Sequence, residues 1–291
     1  MYKNRANSER GQVLLIALLV MVVGLTVGLS VVARSITNIK ISTQNEESQR
    51  AFFAAEAGLE VALLPNGAVG SGSVGSANYN VTATETSPAN NIFIFPATVK
   101  VDDTRTLWLV KHDPADSTKL MDSSAYYTAQ TINVCWQDAS TTPAMEIILI
   151  YKEGGNTYRV ARGAYDPDGG RGNNFSGVTS SSPPNCGSAD LKYRKSISFT
   201  GDFNVNPADK ILVALRLRPI YADVKIAVEG ASAAGSCPGG NGCLPAQGKL
   251  FASTGTDANT TRKVQVFKSY PAFPAIFDFV LFSGTGLSKT P

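Results

Sequence analysis

The sequence predicts an α+β protein: a long N-terminal helix, transmembrane in its first half, followed by a β-rich antiparallel sheet or sandwich domain. Three observations lead there. Between Arg10 and Arg34 there is no charged residue, and Val13 to Ala33 forms one apolar run. From Arg34 to Leu64 the chain holds a helical periodicity without a proline. Beyond Pro65 it breaks into short alternating segments, rich in β-branched and aromatic residues and separated by Gly, Ser, Asn and Pro. At 291 residues, 43% of them hydrophobic, the chain can bury a sizeable core. Its net charge of +3 is small and its cations are scattered, so no nucleic-acid partner is expected.

The apolar run is the first element. At about 1.5 Å per residue, a helix from position 13 to position 33 crosses the roughly 30 Å hydrocarbon core of a bilayer. Lys3, Arg5 and Arg10 stand before it against the single Glu9, which keeps the short N-terminus in the cytoplasm and sends everything after Ala33 outward. The expected location is therefore the inner membrane, single-pass, with the C-terminal domain extracytoplasmic. A cleaved secretory signal ending at Val31-Val32-Ala33 is the competing reading, but the run exceeds the roughly 7–15 residues of such a signal's apolar core. Gly24 and Gly28 have the spacing that lets a second helix approach closely. Small residues are also simply common in membrane helices.

The helix continues past the membrane. Phe52, Ala55, Leu59 and Ala62 recur at helical spacing with Leu63 beside them, an apolar stripe that must pack on something. Glu46 and Arg50 stand four apart in the favourable order, and Pro65 and Gly67 end the element. A helix over 12–64 is about 80 Å long at the standard rise. Residues 65–78 read as a Gly/Ser linker, and 79–291 as one β-rich extracytoplasmic domain.

In that domain, Tyr79–Ala83, Thr106–Val110, Thr131–Trp136 and Ile147–Tyr151 alternate as strands. The last turns through Glu153-Gly154-Gly155-Asn156 into Thr157–Ala161 as a hairpin. Lys210–Arg218, Asp223–Val228, Arg262–Phe267 and Ile276–Phe282 complete the expected strands. Asp166–Asp190, Gly230–Gly248 and Ser253–Thr261 read as long loops. Four cysteines in an exported domain imply disulfides. Of the three connectivities, the one joining Cys237 to Cys243 closes the short loop Pro238–Gly242 and leaves Cys135 for Cys186. Neither the cysteine spacing nor the supply of histidines suits a zinc site.

Reactive constellations are sparse. The single histidine, His112, lies in Lys111–Asp116 and reads as a surface-loop residue rather than a member of a triad. Gly70-Ser71-Gly72-Ser73-Val74-Gly75 matches a dinucleotide fingerprint in letters, yet follows a helix instead of a strand. Asp166 and Asp168, alternating on a Gly turn, are the weak candidates for calcium; the distant glutamate of a full loop is missing. No cofactor and no small-molecule substrate are expected.

Two short motifs carry a resemblance. Arg10-Gly11 before a long apolar helix resembles the class III prepilin signal, in which a prepilin peptidase cuts after the glycine and leaves Gln12 as the first mature residue. The run Gln49–Glu60, QRAFFAAEAGLE, is similar to the A-x-x-A-A-E-A-G signature of PilX-type type IV pilus minor pilins. The resemblance covers about the first 64 residues. It implies a leader over 1–11 and partners in the form of the prepilin peptidase, the membrane and other pilins packed through their N-terminal helices. It further implies a place in the pilus after assembly, no catalysed reaction, and packing or assembly roles for Phe52, Phe53, Glu56 and Gly58.

Counted from Gln12, Ile16 stands where major pilins carry a glutamate associated with pairing to a neighbour's N-terminal amine. That departure points to a low-copy subunit. A pseudopilin of a type II secretion system is the same reading in another machine. The alternative from a different class is a membrane-anchored surface adhesin or binding module, and an exported enzyme has the least support.

Overall fold

The computed structural model describes residues 9–64, 67, 69–155, 157–180, 185–233, 237 and 241–278. Helix α1 runs from Glu9–Leu63. After it come strands β1 (Ser71–Val74), β2 (Ala77–Glu85), β3 (Ile92–Ile94), β4 (Arg105–Trp108), β5 (Lys111–His112), β6 (Leu120–Met121), β7 (Thr131–Gln137), β8 (Ala144–Lys152), β9 (Tyr158–Asp166), β10 (Ser176–Gly177), β11 (Thr179–Ser180) and β12 (Leu191–Ser198). A short helix α2 (Phe199–Phe203) precedes β13 (Ile211–Ile220), β14 (Ile226–Gly230), β15 (Gly248–Asp257) and β16 (Thr260–Ser269). The predicted class, a long apolar helix and then antiparallel sheets, is the class observed.

The chain divides into two compact units, residues 1–83 with 251–266, and residues 84–250 with 267–291. The single domain expected over 79–291 is thus divided, because 251–266 returns to the helix. The first unit contains α1 and the sheet ordered β1-β2-β15-β16. Part of the expected linker is a strand: Ser71–Val74 pairs antiparallel with β2, turning at Gly75, whose φ of 59° suits glycine.

A second correction falls in this unit. Ser253–Thr261 is not a loop, since β15 runs to Asp257 and β16 starts at Thr260. The buried positions of β15 are Gly248, Phe251, Ser253, Gly255 and Asp257. Small and polar side chains at those positions erase the apolar alternation that marks a strand.

The second unit is a sandwich of two five-stranded sheets, β10-β9-β8-β13-β4 and β11-β12-β7-β14-β3. Its core takes Leu107, Ile147, Leu149, Leu215 and Leu217 from the first sheet, and Ile132, Val134, Trp136, Ile197, Ile226 and Val228 from the second. Alternation explains the layers: Val134 and Trp136 point into this core, while Cys135 between them joins Leu191 and Ala227 on the opposite face. The β8–β9 hairpin forms as expected, with Gly154 and Gly155 at positive φ and the Glu153 amide donating to the Thr157 carbonyl at 2.8 Å.

Both disulfides have the expected partners, Cys135 with Cys186 (Cα–Cα 6.1 Å) and Cys237 with Cys243 (5.5 Å). The strand expected over 276–282 is absent where described: Ala275–Asp278 is a 3-10 turn, and 279–282 lie outside the described residues. The turn is held by Arg216, which is 2% exposed. Its Nε and Nη2 donate to the two Asp278 carboxylate oxygens at 2.6 and 2.8 Å, and its Nη1 donates to the Phe273 carbonyl at 2.8 Å.

Candidate functional site

The candidate site is helix α1 and what its faces meet. From Val13 to Val32 the large apolar side chains are more than half exposed; Ile16 is 56% exposed. This is the one helix among the described residues long and apolar enough to cross a membrane. Arg10, Gly11 and Gln12 lie in its first turns. A side chain built at Gly24 or Gly28 would meet nothing within 4 Å, so both glycines face outward.

The last turns of the helix, from Ala51 onward, behave differently. Ala51, Ala54, Ala55, Leu59 and Ala62 are buried, and Gly58 lies among them. Successive spacings of three and four residues put them on one face. The expected stripe included Phe52, and here the structure corrects it: Phe52 is 40% and Phe53 59% exposed. The reason is angular: Phe52 lies on the flank of the contact face, whose centre is filled by alanine and Gly58.

The contact is tight at Gly58. A Cβ there would lie 2.6 Å from the Tyr79 ring and 2.8 Å from the Ser253 hydroxyl. Gly255 on β15 shows it from the other side, where a Cβ would collide with the Ala51 carbonyl and lie 2.7 Å from the Ala55 nitrogen. Leu59, Ala62, Val81 and Phe251 form the apolar cluster beneath. Polar contacts fix the register. The Arg262 Nε donates to the Ser48 hydroxyl at 2.8 Å, the Thr260 hydroxyl to Glu47 at 3.2 Å, and Arg50 bridges Glu46 and Asp257. Its bond to Glu46 raises the Arg50 pKa above the ordinary guanidinium value.

Along the flank of α1 lies an open groove of about 600 Å³. Leu59, Leu63 and Leu64 line it from the helix, Val264 and Val266 from β16, and Glu56 and Glu60 stand at its rim. The four-residue spacing of the two glutamates is visible in the sequence, and puts them on one flank. Nothing in the sequence brings Val264 and Val266 beside them.

The metal candidates are occupied by protein groups. Asp166 is buried, and both its oxygens accept from Arg171 Nη1 at 3.0 Å, with Asn173 Nδ2 at 2.6 Å. Asp168 accepts from the Gly170 amide at 3.0 Å, capping the turn Gly169–Arg171. A guanidinium in that position takes the place a divalent ion would need. Among the described residues no three His, Cys, Asp or Glu side chains cluster as an ion's ligands.

His112 is not a surface-loop residue. It is 4% exposed in β5, stacked on Tyr270 with ring centroids 3.9 Å apart and edge-on to Trp108 at 4.7 Å. Burial lowers its pKa to about 4, and its Nδ1 has no hydrogen-bond partner among the described residues. Burial likewise pushes the Tyr270 hydroxyl up to about 12. A flanking lysine and aspartate make position 112 look exposed in sequence, but residue types cannot show that Trp108 and Tyr270 close over the ring.

Comparison of the chain with protein-family models, with curated proteins and with solved structures gives no match in any of the three.

Proposed function

We propose that the chain is a structural subunit, a minor pilin of a type IV pilus or the equivalent pseudopilin of a type II secretion system, held in the inner membrane by α1 until assembly. The observation that carries this reading is the division of labour along one unbroken helix. Its first half is apolar and exposed throughout, which suits lipid and then the helices of other subunits. Its last turns, from Ala51 to Ala62, are buried against the sheet on one face, through alanine, Gly58 and Leu59. A pull on such a helix draws that sheet with it.

The motif Arg10-Gly11 supplies the maturation step by resemblance. Gly11 offers no side chain to obstruct a peptidase at the cytoplasmic membrane face, and Arg10 holds the leader at the headgroups. Unless the leader is removed, Lys3, Arg5 and Arg10 must follow the helix into hydrocarbon, at about 2.5–3.5 kcal/mol each. Ile16, lacking a carboxylate, cannot neutralise the amine of an adjoining subunit. The chain's own amine can still meet a neighbour's glutamate, which suits a subunit placed at one end of a fibre.

The test is the mass of the mature N-terminus together with filament composition. The expected result is a chain beginning at Gln12, far below the main subunit in amount, and held unprocessed in the membrane by Gly11→Phe. Cleavage after Ala33, or filaments in which this chain dominates or keeps Met1, would overturn the proposal.

A further inference from the structure

We propose that the groove beside α1 receives an amphipathic helix of a different membrane-anchored subunit, one that places a lysine or arginine level with Glu56 and Glu60. The proposal rests on the reading of the chain as an assembly subunit, and names the partner for one side of its helix.

The first observation is charge. Beyond Arg34, α1 carries four glutamates. Glu46 pairs with Arg50, and Glu47 accepts from the Thr260 hydroxyl. Glu56 and Glu60 are exposed, and among the described residues neither pairs with a cation. Two carboxylates four residues apart on a helix repel each other, and this pair stands at the rim of an apolar groove. An occupant of that groove must bring a cation between them, since covering unpaired carboxylates with apolar atoms removes their water without replacing it.

The second observation is shape. Leu59, Leu63, Leu64, Val264 and Val266 line the groove, and helical spacing puts Phe52, 40% exposed, on the same flank one turn below Glu56. The apolar surface is therefore a stripe parallel to α1, about 18 Å long at the helical rise over positions 52 to 64. A rod lying alongside fills such a stripe with side chains at i, i+3, i+4 and i+7. A strand added to β16 is the less suitable occupant, because that edge strand carries Arg262 and the exposed Lys263, charges that oppose edge pairing.

A second copy of this chain does not fit. Anchored at the same depth, it would set its own Glu56 and Glu60 against the first pair. Its Arg50 is engaged with Glu46 and Asp257. Its Lys40 lies 16 to 20 residues lower, about 24–30 Å down the axis.

The experiment uses the full chain in its own cells. Leu63→p-benzoylphenylalanine places a photo-crosslinker in the groove, Val61→p-benzoylphenylalanine places one on another flank of the helix, and cross-linked peptides are identified by mass. The expected product from position 63 is a peptide of another subunit, helical in pattern, with Lys or Arg within one turn of the cross-linked residue. Its yield should fall about tenfold in Glu56→Lys/Glu60→Lys. It should return when the partner's cation is changed to glutamate, an arm that separates lost recognition from a misfolded chain.

Cross-links to lipid alone, to a second copy, or to an extended segment would overturn the proposal. So would a yield untouched by charge reversal, or equal capture from position 61. The mature N-terminus is measured in the same samples. Cleavage after Gly11 without the expected cross-link removes the groove and leaves the pilin reading. The expected cross-link on a chain uncut at Gly11 removes the pilin reading and leaves the groove as a contact between anchored subunits.

Discussion

Gly255 is where the contact between α1 and β15 has least slack. A methyl group there would collide with the Ala51 carbonyl oxygen and stand 2.7 Å from the Ala55 nitrogen. Both neighbours are helix backbone, so no side chain can rotate out of the way. Either α1 lifts from the sheet or β15 bends, and the contacts of Ala51, Ala54, Ala55 and Leu59 are lost together. Overpacking of this kind costs about 1–3 kcal/mol, and the backbone clash puts Gly255→Ala near the upper end. Once undocked, a short helical stretch in water is marginal and frays. At about 1.4 kcal/mol per tenfold, 3 kcal/mol raises the opening equilibrium roughly a hundredfold. Hydrogen exchange on the full chain in detergent reads this out. Amides over 51–62 should exchange about a hundred times faster in Gly255→Ala, with those over 13–33 unchanged. Gly24→Ala, where a Cβ meets nothing within 4 Å, is the control. Unchanged protection over 51–62 in Gly255→Ala would show that the helix is not seated on β15 as described.

Two further outcomes concern the second unit. Arg216→Met leaves the Asp278 carboxylate, 7% exposed, without its cation, and should lower the unfolding free energy in urea by about 3–5 kcal/mol. Arg216→Met/Asp278→Leu should recover part of that loss, and equal losses in the single and double variants would argue against a buried pair. His112 has a folded pKa of about 4 against 6.5 for the unfolded side chain. As pH falls, the unfolded chain takes up its proton first. The contribution is therefore intact above about pH 6.5 and lost on the way down to pH 4, up to about 3 kcal/mol. Across that window the urea midpoint of the natural chain should fall relative to that of His112→Phe, and parallel curves would refute the buried neutral imidazole.

The helix was legible because its signal is composition sustained over length: a charge-free run and then a periodic one. The sandwich was legible where strands alternate cleanly, as in Thr131–Gln137 and Ala144–Lys152. Strand β12 escaped because its sequence, LKYRKSIS, interleaves Leu191, Tyr193 and Ile197 with cations that face outward. Strand β15 escaped for the opposite reason, burying Ser253, Gly255 and Asp257 where a half-buried strand ordinarily carries Val or Ile. The segment Ile276–Phe282 misled because its apolar pattern suits a strand, whereas one buried arginine, distant in sequence, holds Ala275–Asp278 as a turn. In the last two cases the decisive partner lies far along the chain.

On the assembly reading proposed above, the motif Gln49–Glu60 is divided between two tasks. Ala51, Ala54, Ala55 and Gly58 face the chain's own sheet, and their smallness is what lets Gly255 reach the helix backbone. Phe53 and Glu56 are exposed. A stripe chosen only for contact with other subunits would not need a glycine matched to Tyr79 and Ser253, and a stripe chosen only for the fold would not need an exposed phenylalanine beside exposed carboxylates. Substitutions should separate accordingly. Gly58→Leu must disturb the fold before it disturbs assembly, because its Cβ would lie 2.6 Å from Tyr79. Glu56→Gln, exposed and without a cation partner among the described residues, should leave hydrogen exchange over 51–62 unchanged and act only where another subunit is present.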